Sequence, residues 1–178
     1  MTTQEATVVI ALIGAVIAFW GVITQRVLAR RRATIDHISS LLNDHDYIRA
    51  RLAFVTLAKS DKGLLPYAEK DPEVVPADAP NAADIQKAHQ KVNSEIDLIL
   101  NNYELIAIGI QRGILDYKIM RLYARAIIIQ HWEAAAPYIA RLRIARSNPG
   151  YYTEFETLKD WMSGAKRKPR GRFWALLF

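Results

Sequence analysis

The residues with the clearest capacity for chemistry are four histidines, two of which stand beside carboxylates. They are His37, His45, His89 and His131. Asp36 precedes His37, while Asp44 and Asp46 flank His45, and metals of intermediate hardness accept both imidazole and carboxylate ligands. Asp44 and Asp46 also suit the cap and first turn of a helix, where negative charge is favourable. No histidine pair has the HExxH spacing, so helix capping is favoured over a metal site.

A second group of polar residues surrounds the apolar centre of LNNYELIAIGIQRGILD, residues 100–116. Glycine inside a helix costs about 1 kcal/mol relative to alanine, so a glycine here should permit either a pocket or, as we favour, a close helix crossing. The candidate packing or partner site comprises Asn102, Glu104, Gly109 and Arg112. His89, on the same predicted helix, is either a pH-sensitive group or a rim residue whose polar tip reaches water.

The sequence gives no support for several classes of enzyme. The chain has no cysteine, which excludes disulfides, thiolate metal sites and cysteine nucleophiles. Gly109 and Gly113 lie inside helical sequence with no Gly-Lys-Ser/Thr after them, so there is no phosphate-binding loop. No serine has the G-x-S-x-G context of a hydrolase. We therefore predict a protein that is not an enzyme, with no catalytic residues, metal or cofactor.

Positive charge is concentrated at the two ends of the chain. The net charge is +6, yet residues 33–165 contain 15 Lys and Arg against 17 Asp and Glu. The middle of the chain is therefore nearly neutral, and the basic flanks are predicted to contact a membrane or another anionic surface. The cations concerned are Arg26, Arg30, Arg31, Arg32, Lys166, Arg167, Lys168, Arg170 and Arg172.

An uncharged stretch near the N-terminus predicts a transmembrane anchor. ATVVIALIGAVIAFWGVIT, residues 6–24, contains no charged residue, and a helix of this length spans roughly the ~30 Å hydrocarbon layer. A buried core helix and a cleaved signal peptide are the alternatives. The signal peptide is disfavoured because the positive charges follow the apolar stretch instead of preceding it. By the positive-inside rule, the N-terminus should face outward and the rest should be cytoplasmic.

After the anchor, apolar residues at helical spacing predict an all-α bundle with no β-strands. The anchor helix should continue to about residue 43, and a second helix should cover 45–59 and pack antiparallel to it, because the link is so short. Further helices are predicted over 84–112, 117–136, 138–147 and 153–162. Asp44 and Asp116 are the expected caps, and Gly113 the expected left-handed end of a helix.

The same spacing predicts which faces are buried. The long helix over 84–112 has a heptad seam that should bury Ile99, Tyr103, Ile106 and Ile110. The next helix should bury Ile119, Leu122, Ala126, Ile127 and Ile129. The last helix should direct inward Phe155, Leu158, Trp161 and Met162.

These patterns divide the chain into an anchor over 1–25, a cytosolic helical domain over 26–163 and a tail over 164–178. Four prolines in residues 60–83 predict an irregular connection inside the domain. The tail, AKRKPRGRFWALLF, combines cations with an apolar end. Phe173 and Trp174 should enter the membrane interface beside anionic lipids, or else pack on the bundle or on a second subunit.

Several segments together resemble the bacterial, membrane-anchored domain of unknown function 4760. These segments are ARRRATID, NDHDYIRARLAF, LNNYELIAIGIQRGILD, HWEAAAPYIARLR and YYTEFETLKDW. The resemblance covers nearly the whole chain after Ala29, and residues 100–116 are its most specific part. It implies an anchored helical domain with no established activity, and it supplies no functional residues.

The sequence therefore predicts a membrane-tethered helical interaction or recruitment module at the cytoplasmic face of a bacterial inner membrane. Its expected partners are the lipid bilayer with its anionic lipids, an unknown protein and, as one possibility, a second copy of the chain. The alternative is a membrane-held protein that binds nucleic acid through its basic tail. That alternative is weaker because the near-neutral domain supplies no second basic face.

Overall fold

Short-range capping signals set the limits of the helices. The structure is a computed structural model that describes residues 3–68 and 82–167. Its helices are α1 Thr3–Asn43, α2 His45–Ala58, a 3₁₀ turn at Leu65–Tyr67, α3 Ala82–Gln111, α4 Tyr117–Ala145 and α5 Thr153–Ser163. No strand occurs in the described ranges, and the all-α prediction is confirmed.

Two aspartates begin helices as predicted. The Asp44 side chain accepts hydrogen bonds from the backbone N–H groups of Asp46 and Tyr47, and Asp116 caps α4 in the same way. Gly113, with φ of +71°, ends the turn after α3 in the left-handed region that glycine enters without steric cost. The two aspartates satisfy N–H groups that the first turn of a helix otherwise leaves unpaired.

Helix α1 is a single helix of 41 residues, roughly 60 Å long at 1.5 Å per residue. Its N-terminal part does not join the core: the large apolar side chains from Val8 to Val22 have exposed fractions between 45% and 71%. It is long enough and apolar enough to cross a membrane. The described chain thus offers no protein surface that covers this apolar segment.

Helices α1 and α2 do not form the predicted antiparallel pair. Contacts with α4 advance along that helix as the chain passes from α1 to α2. Thr34 of α1 hydrogen-bonds to Asp116, which caps the start of α4. In α2, Tyr47 lines a cavity together with Tyr123, and the Phe54 ring lies 4.8 Å from the ring of His131. The chain therefore bends at Asp44 and continues in a similar direction. A single extended residue, with φ −85° and ψ 106°, links the helices without reversing the chain.

The predicted break at Pro137 is wrong, because α4 runs through it as one helix, Tyr117–Ala145. Proline lacks the N–H that would bond to the carbonyl of Glu133, so the helix loses one hydrogen bond. The alanines at 134–136 are strong helix formers. In addition, Ala135 and Tyr138, on either side of the proline, are buried in the same core.

The face of α4 that is buried also differs from the prediction. Leu122 is 89% exposed and Ala126 is exposed, while Ile119, Ile127 and Ile129 are only partly buried. The residues that enter the core instead are Met120, Ala124, Ile128, His131, Ala135, Tyr138, Ile139 and Leu142. Much of α4 is apolar on several sides, so periodicity could not select the face that packs against α5, α2 and α1.

The core forms where α2, α3, α4 and α5 meet. Tyr103 stacks on Phe155 with ring centroids 4.5 Å apart, and Trp132 meets Phe155 edge-on at 5.2 Å. The four predicted seam residues of α3 are all buried, with exposed fractions of 8% or less, and the four inward residues of α5 are buried as well. Both predictions are confirmed.

Only part of the predicted irregular connection over 60–83 falls in the described residues. Residues 60–68 contain turns and the 3₁₀ turn, and Leu64 and Ala68 are buried against the core. Residues 69–81 lie outside the described chain. α3 begins at Ala82, two residues before the predicted start.

Candidate functional site

The basic flank of the anchor meets the domain through a buried group of polar contacts. Thr34 is fully buried, and its hydroxyl donates to the carbonyl of Arg30 at 2.8 Å and accepts from the N–H of Asp116 at 2.7 Å. The Arg30 guanidinium lies 3.4 Å from the Asp116 carboxylate, which also caps α4. We call these three residues the junction, because they join α1 to the start of α4.

The predicted membrane-contacting cations therefore have different surroundings. Arg30 is used in the junction, whereas Arg26, Arg31 and Arg32 have exposed side chains. Near the end of α5, Lys166 forms a 2.8 Å ion pair with Asp160, and Arg167 is exposed. The remaining candidates lie outside the described residues: Lys168, Arg170, Arg172, Phe173 and Trp174.

The Asp160 carboxylate forms ion pairs with two lysines, Lys159 and Lys166, at the end of α5. Burial alone would raise its pKa, but hydrogen bonds from Lys159 and Lys166 outweigh burial and hold the pKa of Asp160 below its usual value. The N-terminal part of the tail is thus held against the domain by a charged contact.

Replacing Thr34 by valine should weaken the junction. The change keeps the side-chain shape but leaves the buried N–H of Asp116 without an acceptor, which costs about 1–3 kcal/mol. Thermal unfolding of the full chain in detergent should show a lower melting temperature. Thr34→Ser is the matched control because it retains the oxygen, and equal melting temperatures for Thr34→Val and the native chain would contradict this role.

An apolar concavity lies beside the junction, on the inner side of the bend between α1 and α2. It is a cleft of about 300 Å³, at the lower end of the ~300–1,000 Å³ typical of small-molecule sites. Ile38, Leu41 and Leu42 of α1 form one wall, and Met120 and Ala124 of α4 face them. Residues from α2 and α3 complete the lining, so all four helices shape the cleft.

A few polar groups occupy one part of this cleft. Asn102, 7% exposed, donates to the Tyr47 hydroxyl over 3.4 Å, and the half-buried Arg51 side chain also lines the wall. Behind them, the Tyr103 hydroxyl lies 2.8 Å from Nδ1 of His131. Burial, followed by the charge of Arg51, lowers the pKa of His131 to about 4, so at neutral pH its imidazole is uncharged and accepts from Tyr103.

The buried His131 should make stability depend on pH. Its pKa is about 4 in the folded chain and 6.5 when unperturbed, so between these values the unfolded state binds more protons. Stability should fall by up to about 3 kcal/mol as pH drops from 6.5 towards 4. His131→Gln keeps an acceptor for Tyr103 but does not titrate. Melting temperatures across this range should fall less for the variant, whereas identical slopes would contradict the assignment.

A second histidine adds to the same trend. Burial lowers the pKa of His37, and its Nε2 is buried without a partner in the described structure. The pH test therefore compares how steeply the melting temperature falls with pH in the native chain and in the His131→Gln variant. His37 contributes equally to both, so the difference between them reports His131.

The structure does not bring together the four polar or glycine positions predicted on α3. Asn102 lies in the cleft, while Glu104 is half-buried and its pKa is raised by burial. A Cβ on Gly109 would lie 2.8 Å from Leu115, so the glycine makes room for the turn after α3 and not for a crossing helix. Arg112 is exposed.

The other two histidines, His45 and His89, do not lie in a group of metal ligands within the described residues. His45 is exposed in the first turn of α2. His89 is 8% exposed, stacks on Tyr67, and has Nε2 3.5 Å from the Pro66 carbonyl, so its ring tip meets protein and not the water expected of a rim residue. No group of three potential metal ligands occurs within the described ranges.

Sequence reasoning missed a polar cavity of about 250 Å³ beside the middle of α3, lined by residues that precede those of the cleft. Asp97 accepts a 2.9 Å hydrogen bond from the Tyr152 hydroxyl, and burial raises the pKa of Asp97 despite this bond and the nearby charge of Arg146. Asn93, one turn earlier, has a buried carbonyl oxygen with no partner among the described residues. The only sequence signal was the four-residue spacing of Asn93, Asp97 and Asn101 along α3.

The fold and these sites define an all-helical domain with an apolar cleft, continuous with an N-terminal helix that is a candidate membrane span. The chain belongs to the family described as domain of unknown function (DUF4760), whose model matches residues 8–161. That match confirms the family resemblance of the sequence. Neither the curated proteins nor the solved structures contain a significant match.

Proposed function

We propose that this chain is a membrane-tethered, non-enzymatic interaction module that recruits or senses a partner at the cytoplasmic face of a bacterial inner membrane. The observation that carries the proposal is the continuity of α1. One helix contains both the exposed apolar segment and the fully buried Thr34. The ten residue-to-residue steps from Thr24 to Thr34 cover about 15 Å of rigid helix, which would hold the domain close to the lipid surface.

The arginines support the orientation. All four cations that adjoin the apolar segment follow it, which by the positive-inside rule favours a cytoplasmic domain and an external N-terminus. The three exposed arginines would lie near anionic headgroups, where each contributes about 1 kcal/mol.

An apolar stripe on α4 supports an interaction role. Leu122 is 89% exposed and Tyr123 is 49% exposed, with Ala126 one helical turn after Leu122. Contiguous exposed apolar patches mark interaction sites on soluble proteins. We propose that this stripe contacts a protein partner, which includes a second copy of the chain as one possibility.

Photo-crosslinking in native membranes tests this proposal. A crosslinking amino acid in place of Leu122 should give discrete protein adducts, whereas the same group in place of Glu133, an exposed position further along α4, should not. Adducts of equal yield at both positions, or none at Leu122, would contradict the interaction surface. Salt-sensitive capture of DNA by the full chain in membranes, with no adduct at Leu122, would favour the nucleic-acid alternative.

A further inference from the structure

The cleft between α1, α2, α3 and α4 has the composition of a site for a chain-like apolar ligand. Its walls are aliphatic on three sides, and its rim leaves Leu42 52% exposed, Ile48 39% exposed and Leu52 65% exposed. Leaving these side chains in water is unfavourable, and covering apolar surface contributes roughly 25 cal/mol per Å². An apolar ligand would therefore be stabilised both inside the cleft and along its rim.

One cation in the cleft has no counter-ion in the described part of the chain. Three other arginines of the domain pair with acids: Arg30 with Asp116, Arg49 with Asp46 and Glu95, and Arg143 with Glu156. Arg51 is half-buried, forms no ion pair within the described residues, and shares the cleft with no acidic side chain among them. A guanidinium held against apolar surface is ready to bind a carboxylate or phosphate through charge-assisted hydrogen bonds.

Neighbouring polar groups reinforce this preference for an anion. The Tyr47 hydroxyl accepts from Asn102, so its own proton is left to donate to a ligand. Burial raises the pKa of Tyr47, and the charge of Arg51, one turn further along α2, opposes that rise. Donors and positive charge thus converge in one part of an otherwise apolar cleft.

We propose that the cleft binds a single acyl chain that ends in an anionic oxygen group, with that group against Arg51 and Tyr47 and the chain along the aliphatic walls. The inference goes beyond a recruitment role and does not depend on it. One cation among apolar residues fits a monoanionic amphiphile, whereas nucleic acid requires several cations along its backbone. Helix α1 supplies both the candidate membrane span and one cleft wall, so acyl ligands would be close at hand.

A photoactivatable acyl carboxylate tests the proposal on the full chain in lipid nanodiscs. The probe carries a diazirine near the end of its chain, and adducts are located by peptide mass spectrometry. Adducts on the apolar part of α1 report general lipid contact and serve as the internal standard. The carboxylate should label the cleft segments 38–55 and 120–127 at least about tenfold more than its methyl ester does, relative to that standard.

Three variants identify the recognition element. Arg51→Gln should reduce cleft labelling about tenfold without changing anchor labelling, and Arg51→Lys should retain much of it because the charge remains. Arg121→Gln, which changes an exposed arginine of α4, should have no effect. Melting temperatures show whether each variant is folded, and labelling by Arg51→Lys keeps the test valid if Arg51→Gln is unstable.

A second probe separates the two sources of the anion. A methyl alkyl phosphodiester with the same diazirine, which is also monoanionic, distinguishes a phosphate headgroup from a free fatty acid, and preferential labelling by either anionic probe supports the site. Equal labelling by anionic and neutral probes, or by native and Arg51→Gln chains, would overturn it. Anchor adducts with no cleft adducts would also overturn it.

Discussion

Replacing Phe155 by alanine should destabilise the domain severely. Phe155 is fully buried, stacks on Tyr103 and meets Trp132 edge-on. Its removal would leave a cavity where α3, α4 and α5 meet, and such changes cost about 3–5 kcal/mol. The midpoint of thermal unfolding, followed by near-ultraviolet circular dichroism of the full chain in detergent, should fall clearly.

Leu122→Ala is the matched control because it also truncates an apolar side chain, but one that is 89% exposed. Its effect on stability should stay within about 0.5 kcal/mol. Similar losses for the two variants would show that the surface of α4 is covered in the working protein. A native-like Phe155→Ala variant would show that the aromatic cluster does not hold the helices together.

Placing two arginines in the apolar part of α1 should prevent membrane integration and leave the domain folded. Ile13 and Ile17, one helical turn apart, have exposed fractions of 54% and 66% and contribute nothing to the core. An arginine at the centre of a spanning helix costs about 2.5–3.5 kcal/mol, so the pair Ile13→Arg and Ile17→Arg should shift the chain out of the carbonate-resistant membrane fraction.

The pair Ile13→Leu and Ile17→Leu controls for the substitutions themselves and should remain in the membrane fraction. A fall in the domain melting temperature with the arginine pair would show that α1 packs as a core helix. An intact mass of the native chain that lacks the apolar segment would instead identify a cleaved signal sequence.

The features that the sequence predicts well are those set by neighbours along the chain. Asp44 and Asp116 cap helices because their side chains reach N–H groups two and three residues ahead, and Gly113 ends a turn through its own φ. The seam of α3 was also predictable, since its apolar residues keep one spacing over several turns. Each of these signals is local in sequence.

The features that escaped prediction depend on contacts between distant segments. Thr34 follows three arginines and resembles a surface residue, yet it is buried because Asp116, 82 residues later, donates to it. The run from Ala124 to Ile129 is apolar on most sides, so the positions of α5, α2 and α1 decide which face is buried. The cleft is likewise formed by four helices and by a bend at Asp44 whose direction no local signal encodes.

Thiol labelling tests the central proposal, that α1 crosses the membrane and leaves the domain in the cytoplasm. The chain contains no cysteine, so a single introduced cysteine reports its own location. Thr3→Cys and Lys62→Cys place exposed thiols before the apolar segment and in the domain, respectively. In bacterial spheroplasts, a membrane-impermeant maleimide should label Thr3→Cys directly and Lys62→Cys only after the membrane is disrupted. Labelling of Lys62→Cys in intact spheroplasts, or protection of both positions, would contradict the proposed topology.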